Sequence, residues 1–322
     1  MDRMARILRG LDKTMLGLEI APWFAPIAPK STGYNVRVLD VFDRPTLLAR
    51  AKLDPDLVNR DMSLVEEVDF VGSATEIGAI IPEKDLGTFD YIVSSHNFEH
   101  LANPIKFLQG CAKVLKPGGL LSIVVPDRRG CFDYFRPNTQ LGDWLDAYAT
   151  NRDRPLPRQV FDLKSNLSYF QDGPRKLGAF SVGETRSSVM LSGNLTEAYK
   201  KYYLDPLEDG YHDAHCTVMT PASLEMLLTE TQYLGFVDFT IEEVSATVGC
   251  EIFVRLRFGQ SGQKPTEEEF HKQRQALQHR VLQDYVLQLI PVRSDSKRLF
   301  KTTPLTRKIR GFGRYLRGKP DH

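Results

Sequence analysis

The stretch Phe89-Asp-Tyr-Ile-Val-Ser-Ser-His-Asn-Phe-Glu-His-Leu101, with the helix and strand that follow it, decides the fold. Its first half, Phe89–Ser94, is a short apolar run of the kind that suits a strand covered on both faces. Asn103 then stands where a helix cap belongs, and Pro104 fits the first turn, where no amide hydrogen is needed. Ile105, Leu108, Ala112 and Leu115 fall on one face of a helix over 104–115. Lys116-Pro-Gly-Gly119 ends that helix and turns the chain into a second apolar run, Leu120-Leu-Ser-Ile-Val-Val125, stopped by Pro126. Strand, helix and strand in this order form one unit of a parallel sheet.

Three similar runs precede it: Met15–Ile20, Val36–Val41 and Val68–Val71. The repetition predicts an α/β fold, a doubly wound, mostly parallel sheet. After Asp127 the reading weakens. Pro, Gly, Asn and Arg are scattered to about residue 210, with helical spacing only at 142–150 and 196–203, so 127–210 is expected to be a cover on the substrate side. At Thr220 order returns, with Thr220 as cap, Pro221 in the first turn and Leu224, Leu227 and Leu228 as the buried stripe. Two closing strands follow, at 236–242 and 250–258. The ends differ in composition. Met1–Lys13 has the spacing of a short cationic helix, and Thr266 with Glu269 forms a capping box for a helix whose stripe is Phe270, Leu277, Val281, Tyr285 and Leu289. The organisation is therefore an N-terminal helix over 1–14, a domain over 15–258 and a C-terminal helical extension with a basic tail over 259–322.

Composition bounds what the chain does. Lys+Arg 42 against Asp+Glu 41 gives a net charge of +1, with none of the basic excess of a nucleic-acid binder. Four cysteines without a CxxC pair argue against a structural zinc site and against a disulfide framework. The first twenty residues carry charges throughout and no apolar signal-peptide core, and no run reaches 18 apolar residues, so a cytoplasmic location is expected. The segment Arg293–Lys319 holds ten Lys/Arg and one acid, interleaved with Leu299, Phe300, Leu305 and Ile309. It suits an anionic membrane surface or a protein partner, and equally a solvated tail.

In such a sheet a ligand binds beyond the carboxyl ends of the strands, where the strand order reverses. Glu19 ends the first strand and opens the loop Ile20-Ala-Pro-Trp23, Asp40 ends the second, and Ser94-Ser-His-Asn97 ends the fourth. Taken in order, Leu18-Glu-Ile-Ala-Pro22, Val38-Leu-Asp40, Phe89–Leu101, Leu115-Lys-Pro-Gly-Gly-Leu120 and Val125-Pro-Asp127 resemble the class I S-adenosylmethionine-dependent methyltransferases, closest to the bacterial small-molecule branch called type 11. The resemblance spans about residues 15–258, including the late helix after His215. It implies a Rossmann-like methyltransferase fold, mostly parallel with a final antiparallel strand in the closing pair, S-adenosylmethionine as cofactor and methyl transfer to a small-molecule or glycan-linked acceptor at oxygen, as in surface-polysaccharide pathways. It also implies roles for residues: Glu19 and the Ala21 loop at the methionine end, Asp40 at the ribose, the Ser73-Ala74-Thr75 turn at the adenine, and Ser94, Ser95 and His96 beneath the sulfonium. Where the family has glycine this chain has Ala21, which fits if its φ stays negative. Asp43 stands close enough in sequence to share the role of Asp40.

His96 is a candidate base for the acceptor, and a structural or cofactor-contacting histidine is the plainer reading. His215, with His212 in Tyr211-His-Asp-Ala-His215, is a second candidate. His96-Asn-Phe-Glu-His100 also fits the H-x-x-E-H zinc pattern, but that pattern needs a helix and here it follows a strand, so no metal is expected and Glu99 and His100 are read as holding the loop. Asp127-Arg-Arg129 suits an anionic or sugar-like acceptor, or a solvated loop. A nicotinamide enzyme is disfavoured because G-x-G-x-x-G is missing, while the Ala21-Pro-Trp23 loop keeps open a non-catalytic binding module.

Overall fold

The protein is described from a computed structural model, over residues 2–53, 60–183, 188–204, 213–259, 262 and 264–289. The basic tail, Leu299 to Ile309 included, and His212 lie outside these residues.

Five parallel strands carry the fold: β1 (Gly17–Ile20), β2 (Val36–Asp40), β3 (Phe70–Val71), β4 (Phe89–Ser95) and β5 (Leu115–Pro126). Between them lie α2 (Arg44–Leu53), α3 (Ile77–Ile80) and α4 (Pro104–Val114), while α1 (Arg3–Ile7) precedes them all. After β5 come α5 (Leu141–Ala149), α6 (Pro157–Asn166), the short strands β6 (Ser168–Asp172), β7 (Arg175–Leu177) and β8 (Val189–Leu191), and α7 (Leu195–Tyr199). The chain then completes the main sheet with α8 (Pro221–Tyr233), β9 (Phe239–Val244) and β10 (Glu251–Phe258), and ends in α9 (Glu267–Leu289). The sheet order is β3-β2-β1-β4-β5-β10-β9, with β10 antiparallel to both of its neighbours. This is the expected Rossmann-like methyltransferase sheet with its one reversed strand. Among the described residues no helix is long and apolar enough to cross a membrane.

Alternation along the strands divides the core into two layers. Ile92, Leu121, Ile123, Ile252 and Val254 face α3, α4, α5 and α8, where Ile77, Ile105, Leu108, Trp144 and Leu224 meet them. Tyr91, Val93, Leu120, Val124 and Phe253 face the other way, onto Ile7 and Ile27 with Met4, Leu8 and Leu11 beside them. The N-terminal segment is thus part of the sheet's second layer. Its helix is only five residues long, shorter than the 1–13 span expected, because the chain turns at Gly10 with φ 75°. Arg6 and Arg9 pair with Glu243, and Ser122 and Arg255 donate to the carbonyls of Ile7 and Arg9 respectively, so polar bonds fix the apolar contact. On the first layer α3 and α4 touch through Gly78 and Gly110, where an added Cβ on Gly78 would stand 3.0 Å from the Gly110 Cα.

The caps read from the sequence are present. Asn103 accepts from the Lys106 amide at 3.1 Å, Thr220 and Ser223 form a capping box, and Thr266 and Glu269 cap α9 reciprocally. The segment after β5 holds more order than expected, a three-stranded sheet β7-β6-β8 and the packed helices α6 and α7. Bonds from Phe180 to the Gly130 carbonyl and from Ser168 to the Phe132 carbonyl clamp it to the end of β5.

Candidate functional site

The switch point lies between β1 and β4, which are neighbours in the sheet while the chain runs outward from them in opposite directions. Ile20 pairs with Ser94, so the loops after these two strands flank one crevice. Three residues there have left-handed backbone despite carrying side chains: Ala21 at φ 51°, Trp23 at φ 37° and His96 at φ 53°. The expected negative φ at Ala21 is therefore corrected. Each such residue costs on the order of 1–2 kcal/mol, and strain of this kind gathers at ligand sites. Ala21 and Trp23 hold this backbone path at an energetic cost.

The crevice carries polar atoms that the protein leaves unsatisfied. The Ser94 Oγ, the Asn97 Nδ2 and the Trp23 Nε1 are buried without a hydrogen-bond partner. Such groups normally find partners, so three in one crevice fit a polar ligand. Asp40, buried at the end of β2, accepts from the Phe42 amide at 3.3 Å, and burial raises its pKa. Asp43 instead caps α2 through the Thr46 amide at 2.9 Å, so it does not share the role expected of Asp40. Ser73 accepts from the Thr75 amide and starts the turn in which Ala74 is buried.

Two of the residues assigned to the cofactor are occupied by the protein itself. Glu19 is buried, and its two oxygens accept from the Ile27 and Ala28 amides at 2.5 and 3.0 Å. It ties down the returning end of the loop, and burial lifts its pKa to about 7 against those two bonds. Ser95 sits one residue beyond Ser94 and so points to the opposite face, where its Oγ lies 2.6 Å from Arg3 Nη2.

His96 departs from the role of a base. Its Nε2 is 2.9 Å from Glu251 and its Nδ1 is 3.4 Å from Glu99. Burial lowers its pKa, but the two carboxylates outweigh burial and hold it near 9, so at neutral pH it keeps its proton. Glu251, which also pairs with Arg3 at 2.8 Å, is held near 2 although burial opposes it. His96 thus joins the end of β4 to the start of β10.

His215 stands differently. It is 5% exposed, and its Nδ1 donates to Asp133, which Arg136 holds at 2.6 Å. The other imidazole nitrogen is left to face elsewhere, as in a histidine oriented by a carboxylate. His100 lies edge-on to it with ring centroids 4.6 Å apart, and Phe132 is tilted against it at 4.7 Å. Glu99 and His100 therefore do more than hold a loop. With His215, from a segment over a hundred residues away, they gather into one cluster whose nitrogen and oxygen atoms lie within 4.8 Å of one another. Sequence reasoning missed Asp133, whose only signal was its place in an aromatic stretch after β5.

The arginines after β5 do not reach an acceptor. Arg129 pairs with buried Asp127 at 2.7 Å and with Asp284 of α9 at 2.7 Å. Arg128 donates to Asn138, the Tyr134 carbonyl and Gln288, and lies over the Tyr285 ring. Both arginines dock α9, which is also held by the stacked rings of Tyr233 and Phe270 and by Arg274 and Arg280 on Glu230 and Glu225.

Comparison with known proteins identifies the family. Ubiquinone biosynthesis O-methyltransferase from Caulobacter vibrioides is 43% identical over 42 residues, which is 13% of this chain and 17% of that protein. The enzyme of the same name from Parvibaculum lavamentivorans is 46% identical over 41 residues, 13% of this chain and 16% of its own. The chain thus spans about one sixth of the length of these curated relatives. A crystal structure of a SAM dependent methyltransferase from Aquifex aeolicus superposes with TM-score 0.36 at 14% identity, over 80% of this chain and 89% of that one. The methyltransferase domain family matches residues 2–233, well over half of the chain and every strand that builds the crevice. The chain belongs to the class I S-adenosylmethionine-dependent methyltransferase family.

Proposed function

We propose that this protein transfers a methyl group from S-adenosylmethionine to a hydroxyl of a small, ring-bearing acceptor, a free or glycan-linked sugar or a phenol. One observation carries the reading: a strained loop and a lone buried carboxylate, both suited to the cofactor, share the strand ends with the Glu99–His100–His215 cluster.

S-adenosylmethionine, when bound, supplies a methyl group on a positively charged sulfur. Asp40 accepts the ribose hydroxyls, the Ala21–Trp23 backbone lies against the methionine end, the Ser73-Ala74 turn borders the adenine, and Ser94 Oγ donates into the floor. The acceptor's hydroxyl meets the cluster, where the ring nitrogen of His215 opposite Asp133 draws on its proton. Positioning by Phe132 and the cover supplies the rest of the rate. Burial of the cluster strengthens these interactions by excluding water. The work takes place in the cytoplasm, where the cofactor is made. The rival reading, a non-catalytic module binding through its C-terminal helix, loses support because the charged residues of α9 at its docked face are paired within the chain.

The test is incubation with methyl-labelled S-adenosylmethionine and a panel of sugars, nucleotide sugars and phenols, with the product's methyl position read by mass spectrometry and NMR. An O-methyl product is expected. His215→Ala should lower kcat about 100-fold or more while leaving KM for the cofactor unchanged. A methyl found on nitrogen or carbon contradicts the reading.

A further inference from the structure

We infer that Glu99, His100 and His215 form a binding site for a divalent first-row transition-metal cation, of which Zn2+ is the probe. The inference rests on the methyl-transfer reading only for the cation's use; the site itself stands on geometry.

The first observation is the state of Glu99. It is 1% exposed, and neither carboxylate oxygen has a hydrogen-bond partner. The nearest cationic atoms are the His96 Nδ1 at 3.4 Å and the His100 Nε2 at 3.8 Å. Burying a carboxylate in this way is costly unless a charge is coordinated or paired at close range.

The second observation concerns the two imidazoles. His215 gives its Nδ1 to Asp133, and His100 has its Nδ1 2.8 Å from Asp213. Each ring thus has an aspartate beside its Nδ1, by hydrogen bond for His215 and at ion-pair distance for His100, and the His100 Nε2 lies 3.8 Å from Glu99. A histidine whose far nitrogen is fixed by a carboxylate is the usual arrangement around a bound metal, and here it occurs twice. Two imidazoles and one carboxylate suit Zn2+ and similar ions, and three protein ligands leave a position open for another molecule.

The spread of 4.8 Å among the ligand atoms exceeds the separation expected around a single bound ion, by an amount that side-chain rotation closes. His96 is not a ligand, which is where the H-x-x-E-H pattern misleads. Its Nε2 is committed to Glu251, and the third ligand comes from the segment before α8. In the cation-loaded protein the free nitrogen of His215 is taken up as a ligand, so the proton of a hydroxyl bound at the open position would be loosened by the cation instead of being drawn off by His215.

The test is calorimetric titration of full-length, EDTA-stripped protein with ZnCl2, followed by S-adenosylhomocysteine titration of the same samples. One Zn2+ per chain is expected, with affinity at least tenfold weaker in His215→Ala and in Glu99→Gln. Because Glu99 is buried, Asp213→Asn serves as a gentler variant at a side chain 68% exposed, and its Zn2+ affinity should fall roughly tenfold. Circular dichroism verifies that each variant is folded. No stoichiometric uptake, or uptake undiminished in folded His215→Ala and Asp213→Asn, overturns the site. Zn2+ uptake without homocysteine-nucleoside binding supports the site and overturns the methyl-transfer reading. The reverse pattern overturns the site alone.

Discussion

Replacing Ala21 by glycine should stabilise this protein, although glycine in place of alanine ordinarily destabilises. Ala21 has φ 51°. A residue with a Cβ pays on the order of 1–2 kcal/mol for that conformation, and glycine pays almost nothing. Against this, glycine loses about 0.5–1 kcal/mol more conformational entropy on folding. Ala21 packs beside the main core without being fully buried, so losing its methyl takes back a fraction of the roughly 0.8 kcal/mol of a buried methylene. The balance favours glycine by about 0.5 kcal/mol, with 1 kcal/mol as the upper end. Val at this position should cost 2 kcal/mol or more, since branching at Cβ worsens the left-handed clash. Urea unfolding of wild type, Ala21→Gly and Ala21→Val at one pH gives the order directly. If Ala21→Gly is less stable than wild type by 1 kcal/mol or more, the loop does not have the strained path described and the argument fails.

Glu19 predicts a pH dependence. Its folded pKa of about 7 lies above the ordinary 4.5, so between these values the folded state holds the proton that the unfolded state has released. Stability should fall across that window as pH rises, by on the order of 3 kcal/mol, and Glu19→Gln should flatten that slope in urea midpoints from pH 4.5 to 8; an equal slope in both proteins refutes it. Asp127→Asn should destabilise by about 3 kcal/mol or more, because it leaves Arg129 10% exposed and half-paired beside α9. A change in urea midpoint equivalent to less than 1 kcal/mol would show that Asp284 alone suffices for Arg129.

The fold was legible because its signals are local and repeated. Runs such as Phe89–Ser94 and Leu120–Val125 state a buried strand by themselves, and Asn103, Thr220 and Thr266 announce helix starts by chemistry acting over three residues. The cover was not legible. The strands β6 to β8 are three to five residues long, too short to show a period, and β8 pairs with β6 only across a long connection. In the site, the strand ends themselves were legible, Asp40 closing β2 and the Ala21 loop following β1. Ser95 was misplaced by one residue of alternation, which sends its side chain to Arg3. Arg128 and Arg129 read as a ligand clamp because nothing local shows that α9, some 150 residues later, claims them. The partnership of Glu99 with His215 is of the same kind, a tertiary contact between a strand end and the segment leading into α8.

The central claim is that the strand-end crevice binds S-adenosylmethionine with Asp40 on its ribose, and titration with S-adenosylhomocysteine tests it most directly. Wild type should bind one equivalent. Asp40→Ala should lose two hydrogen bonds to a charged acceptor, about 1.5 kcal/mol each at the low end, which is roughly a 100-fold rise in Kd. Asp43→Ala, which removes only a helix cap, should keep the wild-type Kd. Failure of the wild type to bind, or an Asp40→Ala variant that binds as tightly as the wild type, would contradict the account.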